Sequence, residues 1–181
     1  MIAIGPDQKI EVPVTGVTCN DLAVTKSGFV YFTETPTKRV HCITPDRQHR
    51  VADEGHVTRP NGIAISPDQQ TLAVSDHGGK HVWTWRIETD GTLTAAAPYM
   101  TMQLPVGKHE ALGDGMTAES KGRWFVTTDL GIQVFDPLGR LAGIIAKPVP
   151  GGKVVSVEFA GKDRDVLFVA AGEKLFSRKV R

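Results

Sequence analysis

Three residues with oxygen-bearing side chains, Asn20, Asn61 and Asp114, recur at the same place in three similar stretches of the sequence. Each stands before a short apolar run, and successive ones are separated by roughly 40 to 50 residues, the length of one unit in several repeat proteins. Amide and carboxylate oxygens are the ligands that hard cations prefer, and Ca²⁺ takes six to eight oxygens, waters included. Brought together by the fold, the three side chains would suit a calcium site.

In two of these stretches glycine follows the polar residue, as Asn61-Gly62 and Asp114-Gly115. Such pairs also mark tight turns, because Asn, Asp and Gly tolerate left-handed backbone. In RPNGIAISPD, residues 59–68, a proline precedes the pair and an apolar run follows at once. That order favours a loop entering a strand over a hairpin. The spacing alone leaves two interpretations open, converging ligands or ordinary turn residues.

The stretches belong to four repeats, which align when they are anchored on Asn20, Asn61, Asp114 and Ser156. Each repeat begins with a small or polar residue, continues as a short strand and turns at a cluster of Gly, Asp, Ser or Lys. A second, more apolar strand follows, at residues 29–32, 71–74, 123–126 and 166–169. A third is predicted at residues 39–43, 81–87, 132–135 and 174–178.

A fourth strand follows in the first three repeats, after the turn sequences TPDRQ, ETDGT and DPLGR. Short strands at this period are typical of propeller blades, and no helical periodicity persists. Residues 1–15 could supply two more strands. The sequence therefore predicts an all-β fold, a single β-propeller domain over residues 1–181 with only about four blades.

In a propeller, the loop entering the innermost strand and the loop joining the second and third strands open on the same face. The anchors of the four repeats should therefore converge at one mouth of the central channel. The second-to-third strand loops would add a rim around that mouth, formed by Glu34-Thr35, Asp76-His77 and Thr128-Asp129.

Bulk composition excludes several classes of function. Lys and Arg number 21 and Asp and Glu 20, a net charge of +1, so neither nucleic acid nor a membrane surface is an expected partner. No apolar run is long enough to span a membrane, two cysteines are too few for a disulfide scaffold, and no secretion signal is seen. A soluble, cytoplasmic protein is expected. The three tryptophans fall on predicted strands and are assigned to packing between blades.

No common nucleophile or cofactor motif competes with the cation hypothesis. The sequence contains no G-x-S-x-G elbow, no Walker loop and no dinucleotide fingerprint.

Longer motifs resemble the SMP-30/gluconolactonase/LRE-like family. They are RPNGIAISPDQQTLAVSD, GDGMTAESKGRWFVTTDLGIQVFDPLGRLAGIIAKP and VEFAGKDRDVLFVAAGEKLF, and the resemblance runs from about Thr18 to the C-terminus. It implies a six-bladed propeller with one divalent cation in its channel, of which this chain matches the C-terminal two-thirds. By the same resemblance Asn61 and Asp114 ligate the metal, and Asn20 binds metal or substrate.

The family's chemistry implies hydrolysis of a sugar lactone or a related ester, a small-molecule substrate. Asp114 would then be a metal ligand and either a general base or the group that orients the attacking water. The remaining candidates for substrate contact, besides Asn20, are His77, Asp129, His109 and Glu110. Calcium is the first choice of cation, with zinc, magnesium and manganese as alternatives.

Two departures keep another class of function open. Relatives carry an acidic ligand in an N-terminal blade region that this chain does not show, and Ser156 stands where many have Asn. One carboxylate and two amides should bind calcium more weakly than a full ligand set. The alternative is a non-catalytic propeller segment that acts as a binding scaffold. Open blade faces also predict self-association or a second chain that covers them.

Overall fold

The computed structural model describes residues 1–180, whose regular elements are all β-strands. They form one two-stranded hairpin, three four-stranded sheets and one three-stranded sheet, each antiparallel with its strands adjacent in chain order. This confirms the predicted all-β architecture of four blades, with three strands in the last. The hairpin pairs β1 (Ala3–Ile4) with β2 (Ile10–Glu11).

The blades follow one another along the chain. Blade 1 contains β3 (Leu22–Val24), β4 (Val30–Glu34), β5 (Arg39–Ile43) and β6 (His49–Glu54), and blade 2 contains β7 (Pro60–Ile65), β8 (Thr71–Asp76), β9 (His81–Ile87) and β10 (Leu93–Thr101). Blade 3 contains β11 (Met116–Ala118), β12 (Trp124–Thr128), β13 (Gly131–Phe135) and β14 (Leu141–Ile145), and blade 4 contains β15 (Val154–Ala160), β16 (Val166–Ala171) and β17 (Lys174–Lys179). Strands β5 and β9 have the bounds predicted from the sequence.

The first strand of each blade is the innermost one, because β3, β7, β11 and β15 contact one another in that order. Successive blades pack face to face through apolar side chains that alternate along the strands. Blades 1 and 2 bury Tyr31, Leu72 and Trp85 between them, and Trp124 is buried between blades 2 and 3. Two of the three tryptophans thus lie in the interblade core, as predicted.

The N-terminal segment partly covers the outer face of blade 1. Its Val14 is buried against Phe32 and Ile43, and Glu11 forms an exposed ion pair with Arg47. Several large apolar side chains of this segment and of β3 remain exposed: Ile2, Ile4, Ile10, Val12, Leu22 and Val24. The open blade face expected from the sequence is therefore only partly closed.

A row of titratable groups lies beneath this segment. The His41 ring, 3% exposed, stacks on Phe32 with the centroids 4.6 Å apart. Its Nε2 lies 3.1 Å from Glu34 Oε2 and its Nδ1 lies 3.0 Å from His49 Nε2. Glu34 also accepts a hydrogen bond from the Thr18 N–H at 2.7 Å, so the row ties blade 1 to the segment above it.

This row predicts a pH-dependent stability. Burial lowers the pKa of His41 below its ordinary 6.5, so the unfolded chain binds more protons than the folded chain as pH falls through that value. Hydrogen bonds from Thr37 and Thr18 lower the pKa of Glu34, so its contribution is lost only in more acidic solution. We expect the free energy of unfolding, measured with urea, to fall between about pH 7 and about pH 5.

His41→Gln should flatten this pH dependence, and His109→Gln, at an exposed loop position, should leave it unchanged. An equally steep dependence in His41→Gln would contradict the assignment to His41.

Candidate metal and substrate site

Asn20, Asn61 and Asp114 occupy equivalent places at the start of the innermost strands. The residues two positions later pair with the second strand in the same register, Leu22 with Phe32, Ile63 with Val74 and Met116 with Val126. The backbone N–H groups of Asn20 and Asp114 each donate to the matching second-strand carbonyl at 2.9 Å. The repeat alignment therefore describes real structural equivalence for these three residues.

The fourth repeat departs from that alignment by one residue. Val157 pairs with Val169, so Val155 takes the position of Asp114, and Ser156 takes that of Gly115. The paired residues Val157 and Val169 are 12 positions apart, against 10 or 11 for the matching pairs of the other blades, so a longer connection between β15 and β16 shifts the alignment by one residue. An apolar side chain thus stands where the sequence alignment had placed Ser156.

The glycines after Asn61 and Asp114 are required for close contact between blades. Neither Gly62 nor Gly115 has a positive φ, so neither serves a left-handed turn. A Cβ on Gly62 would lie 2.2 Å from the carbonyl oxygen of Asp114, and one on Gly115 would lie 2.7 Å from that of Val155. The absence of these side chains lets the starts of the innermost strands approach one another.

Hydroxyl groups connect the same three blades. Thr33 Oγ1 donates to the Asn61 carbonyl at 2.6 Å, and Ser75 Oγ donates to the Asp114 carbonyl at 2.8 Å. Both hydroxyl-bearing residues are fully buried on second strands, and each reaches the backbone of a candidate ligand in the next blade. This repeated contact fixes the spacing between neighbouring candidate ligands.

Asp21 was missed by the sequence analysis, although it follows Asn20 where other repeats have glycine. Its Oδ2 accepts the N–H of Ile63 in blade 2 at 3.1 Å, and its Oδ1 accepts the N–H of Leu22 at 2.8 Å. Burial raises the pKa of Asp21, and the carboxylates of Asp114 and Glu158 raise it further. The carboxylates of three blades are therefore close enough to act on one another.

Asp114 is the candidate ligand with a charge. Burial raises the pKa of its carboxyl group above 3.8, while His77, the Gly115 amide and Lys153 partly offset that effect. A partly desolvated carboxylate with incomplete compensation is stabilised by a cation.

His77 lies beside Asn61, as its position in the predicted rim had suggested. Asn61 Nδ2 and His77 Nδ1 are 3.4 Å apart, at the outer limit of a hydrogen bond. Engagement of the amide through its nitrogen is compatible with use of its oxygen as a cation ligand.

A cavity of about 180 Å³ lies beside Asp114. The structure places two of the predicted substrate contacts, His77 and Asp129, in its wall. It adds two residues that sequence analysis missed, Lys147 and Lys153, from the connection between blades 3 and 4. Neither lysine lies in a repeated motif, so no pattern in the sequence pointed to them.

His109 and Glu110 lie apart from Asp114. They line a neighbouring groove of about 360 Å³, which shares Leu112 and Asp129 with the cavity beside Asp114. Asn20 is exposed and lines neither of the two. The other four predicted substrate contacts are thus divided between two adjoining depressions.

Two acidic residues of the predicted rim, Glu34 and Asp76, accept hydrogen bonds from the backbone instead. Glu34 and Asp76 are buried at the ends of second strands. Glu34 accepts the N–H of Thr18, and Asp76 accepts those of Thr58 and Arg59 at 3.0 and 2.9 Å. Each carboxylate therefore holds the loop that leads into an innermost strand.

The donor set fits a weakly bound hard cation. Within residues 1–180 no group of three or more His, Cys, Asp or Glu side chains could hold a metal ion alone. A site at the channel would instead combine the Asp114 carboxylate with the amides of Asn61 and Asn20 and with water. Oxygen ligands with a single charge suit calcium at modest affinity better than zinc, which prefers nitrogen and sulfur.

Comparison with known proteins agrees with this architecture. Residues 7–173 match the family model described as SMP-30/gluconolactonase/LRE-like region. The chain is 29% identical to a gluconolactonase of Zymomonas mobilis, over 86% of this chain and 48% of that protein. The chain thus spans about half the length of this curated relative.

Solved structures show the same fold. A gluconolactonase from Xanthomonas campestris superposes with a TM-score of 0.81 at 24% identity, over 99% of this chain and 65% of that one. Regucalcin from Agrobacterium tumefaciens, described as a calcium-binding protein, gives a TM-score of 0.69 at 17% identity, over 86% and 54%. No helix within residues 1–180 has the length and apolar character needed to cross a membrane.

Proposed function

The chain belongs to the SMP-30/gluconolactonase/LRE-like family, and from that premise we propose that it is a metal-dependent hydrolase of lactones or related esters. The observation that carries the proposal is the placement of Asn20, Asn61 and Asp114 at one register on three successive blades. The half-buried Asp114 carboxylate, with its raised pKa, supports it further.

Asp114 and Asn61 would hold the cation, and Asn20 would complete the set or bind a substrate oxygen. Calcium is the preferred occupant because the donors are oxygens, with magnesium, manganese and zinc as alternatives. When bound there, the cation would supply Lewis-acid polarisation of the lactone carbonyl.

The protein's own groups would position water and move its proton. Asp114 would accept a hydrogen bond from the attacking water and act as its general base. As the water oxygen bonds to the carbonyl carbon, its proton passes to Asp114. The ring C–O bond then breaks, and the departing ring oxygen takes that proton from Asp114, which gives the hydroxy acid and restores the carboxylate. His77 would orient the Asn61 amide.

A second candidate function is a non-catalytic scaffold. Val155, at the register of the ligands in the other blades, supplies no donor, and only one carboxylate stands at that register. A scaffold would need no cation, so metal binding separates the two proposals.

The test is a calcium titration of the purified chain by calorimetry, followed by an assay of acid release from D-glucono-1,5-lactone. We expect saturable binding and lactone hydrolysis that is lost with chelator and restored by calcium. Absence of binding up to millimolar calcium would overturn the enzyme proposal in favour of the scaffold. Hydrolysis that survives the chelator would contradict the metal dependence.

We also propose that the chain self-associates through the outer face of blade 1. Leu22 and Val24 of β3 are 46% and 56% exposed, and Ile4 and Ile10 of the N-terminal hairpin are exposed as well. Exposed apolar surface of this kind favours association. Light scattering should give a mass above 19.6 kDa that falls in Leu22→Lys/Val24→Lys. A monomer at all concentrations would refute this.

A further inference from the structure

The cavity beside Asp114 carries positive charge from a single connection. Lys147 and Lys153 both belong to the sequence AKPVPGGK, residues 146–153, which joins β14 to β15. Lys147 Nζ lies 3.0 Å from Asp129 Oδ1, and its side chain is only 16% exposed, against 42% for Asp129. This pair is therefore held in the cavity wall.

Lys153 is the free cation of the cavity. In the described part of the chain no carboxylate lies within 4.0 Å of its ammonium group, although it lines the same cavity as Asp114. Its charge is felt at Asp114, where it helps to lower the pKa that burial raises. A cation held by Asp114 would occupy that carboxylate and leave positive charge in excess around the cavity.

We propose that Lys153, supported by the Lys147–Asp129 pair, binds an anionic group of the substrate, so that the preferred lactones carry a carboxylate or a phosphate away from the reacting carbonyl. That the bound molecule is a substrate rests on the proposed function, but the anion site itself can be tested by binding alone. An ammonium group binds either anion through charge-assisted hydrogen bonds. The neighbouring His77 offers a further polar contact in the same wall.

The test measures binding of three stable acids to the chain by calorimetry, with and without calcium. D-Gluconate carries one acidic group, D-glucarate adds a second carboxylate, and 6-phospho-D-gluconate adds a phosphate. We expect the compounds with the second anionic group to bind about tenfold more tightly than gluconate, the value of one charged hydrogen bond. Which of the two binds more tightly identifies the anion.

Variants locate the effect. Lys153→Met should remove the preference, Lys153→Arg should retain much of it, and Lys121→Met, in the turn between β11 and β12, should leave it unchanged. The preference should also weaken as NaCl rises from about 0.05 M to about 0.5 M, because salt screens exposed charges.

Equal binding of all three acids, or an unchanged preference in Lys153→Met, would overturn the inference. Because this measurement needs no turnover, a chain that binds the diacids but hydrolyses no lactone would retain the anion site and lose only the proposed hydrolase function. If the chain hydrolyses lactones, the ratio of kcat/KM for 6-phospho-D-glucono-1,5-lactone to kcat/KM for D-glucono-1,5-lactone should be about tenfold lower in Lys153→Met.

Discussion

Replacement of Asp114 by Asn should abolish calcium binding and, at the same time, make the metal-free chain more resistant to heat. Asp114 is the only charged residue at the ligand register, so its loss should weaken calcium binding about 100-fold or more. Even the loss of a residue that only hydrogen-bonds to a metal ligand typically lowers metal affinity about 10- to 100-fold. Lactone hydrolysis should fall with it, since the same carboxylate is the proposed base.

The gain in stability follows from the sign of the pKa shift. The pKa of Asp114 is raised above 3.8 in the folded chain. Its contribution to stability is therefore complete below the unfolded pKa and is lost as pH rises through the folded pKa. At neutral pH the folded chain bears the cost of a partly buried, ionised carboxylate, and the neutral amide of Asn removes that cost. We expect the free energy of unfolding to rise by about 0.5–1 kcal/mol, a value discounted for the partial exposure of the side chain. Below about pH 3.8 the gain should vanish.

Calorimetric titration and thermal unfolding in chelator measure the two effects on the same preparations. Asp163→Asn, in the exposed turn between β15 and β16, is the matched control and should change neither. If Asp114→Asn bound calcium as tightly as the parent chain, the metal would have to lie elsewhere. A lower melting temperature at neutral pH would contradict the assigned electrostatics.

Gly62→Ala should destabilise the fold more than any surface substitution. The added Cβ would lie 2.2 Å from the Asp114 carbonyl oxygen and 2.8 Å from Gly115 Cα, both backbone atoms of blade 3. Backbone held in two sheets cannot move aside as a flexible side chain can. We expect a loss of about 3 kcal/mol or more, and a melting temperature lower by about 6–12 °C.

The same substitution should weaken calcium binding, because the clash separates Asn61 from Asp114. Gly143→Ala is the control: no neighbouring atom lies within 4 Å of the place that its new methyl group would take, and its φ is not positive. Alanine there should be neutral or slightly stabilising, since glycine weakens a strand interior. Urea unfolding of the two variants gives the comparison. Equal stability of Gly62→Ala and the parent would show that the blades do not meet as described.

Strand positions could be predicted from the sequence because they follow from local patterns. Alternating apolar residues and turn clusters placed β5 and β9 correctly, and the repeat period indicated the blades. The pattern also placed Asn61 and Asp114 at one register. Side chains alternate between the two faces of a strand, so the pairing of the strand decides where each side chain lies. The role of the glycines that follow them could not be read from the sequence, because glycine is favoured both in tight turns and where two backbones approach closely.

The charges around the site depended on tertiary structure. Lys153 and Asp21 belong to different blades and to no shared motif, and only the packing of successive blades places them near Asp114. Val155 takes the position equivalent to Asp114 in blade 4 because Val157 pairs with Val169, and that pairing is a property of the folded sheet. The sequence by itself thus determined the blades and the common register of Asn20, Asn61 and Asp114. Tertiary structure decided which charges surround the donors, because electrostatic interaction depends on distance in space and not along the chain.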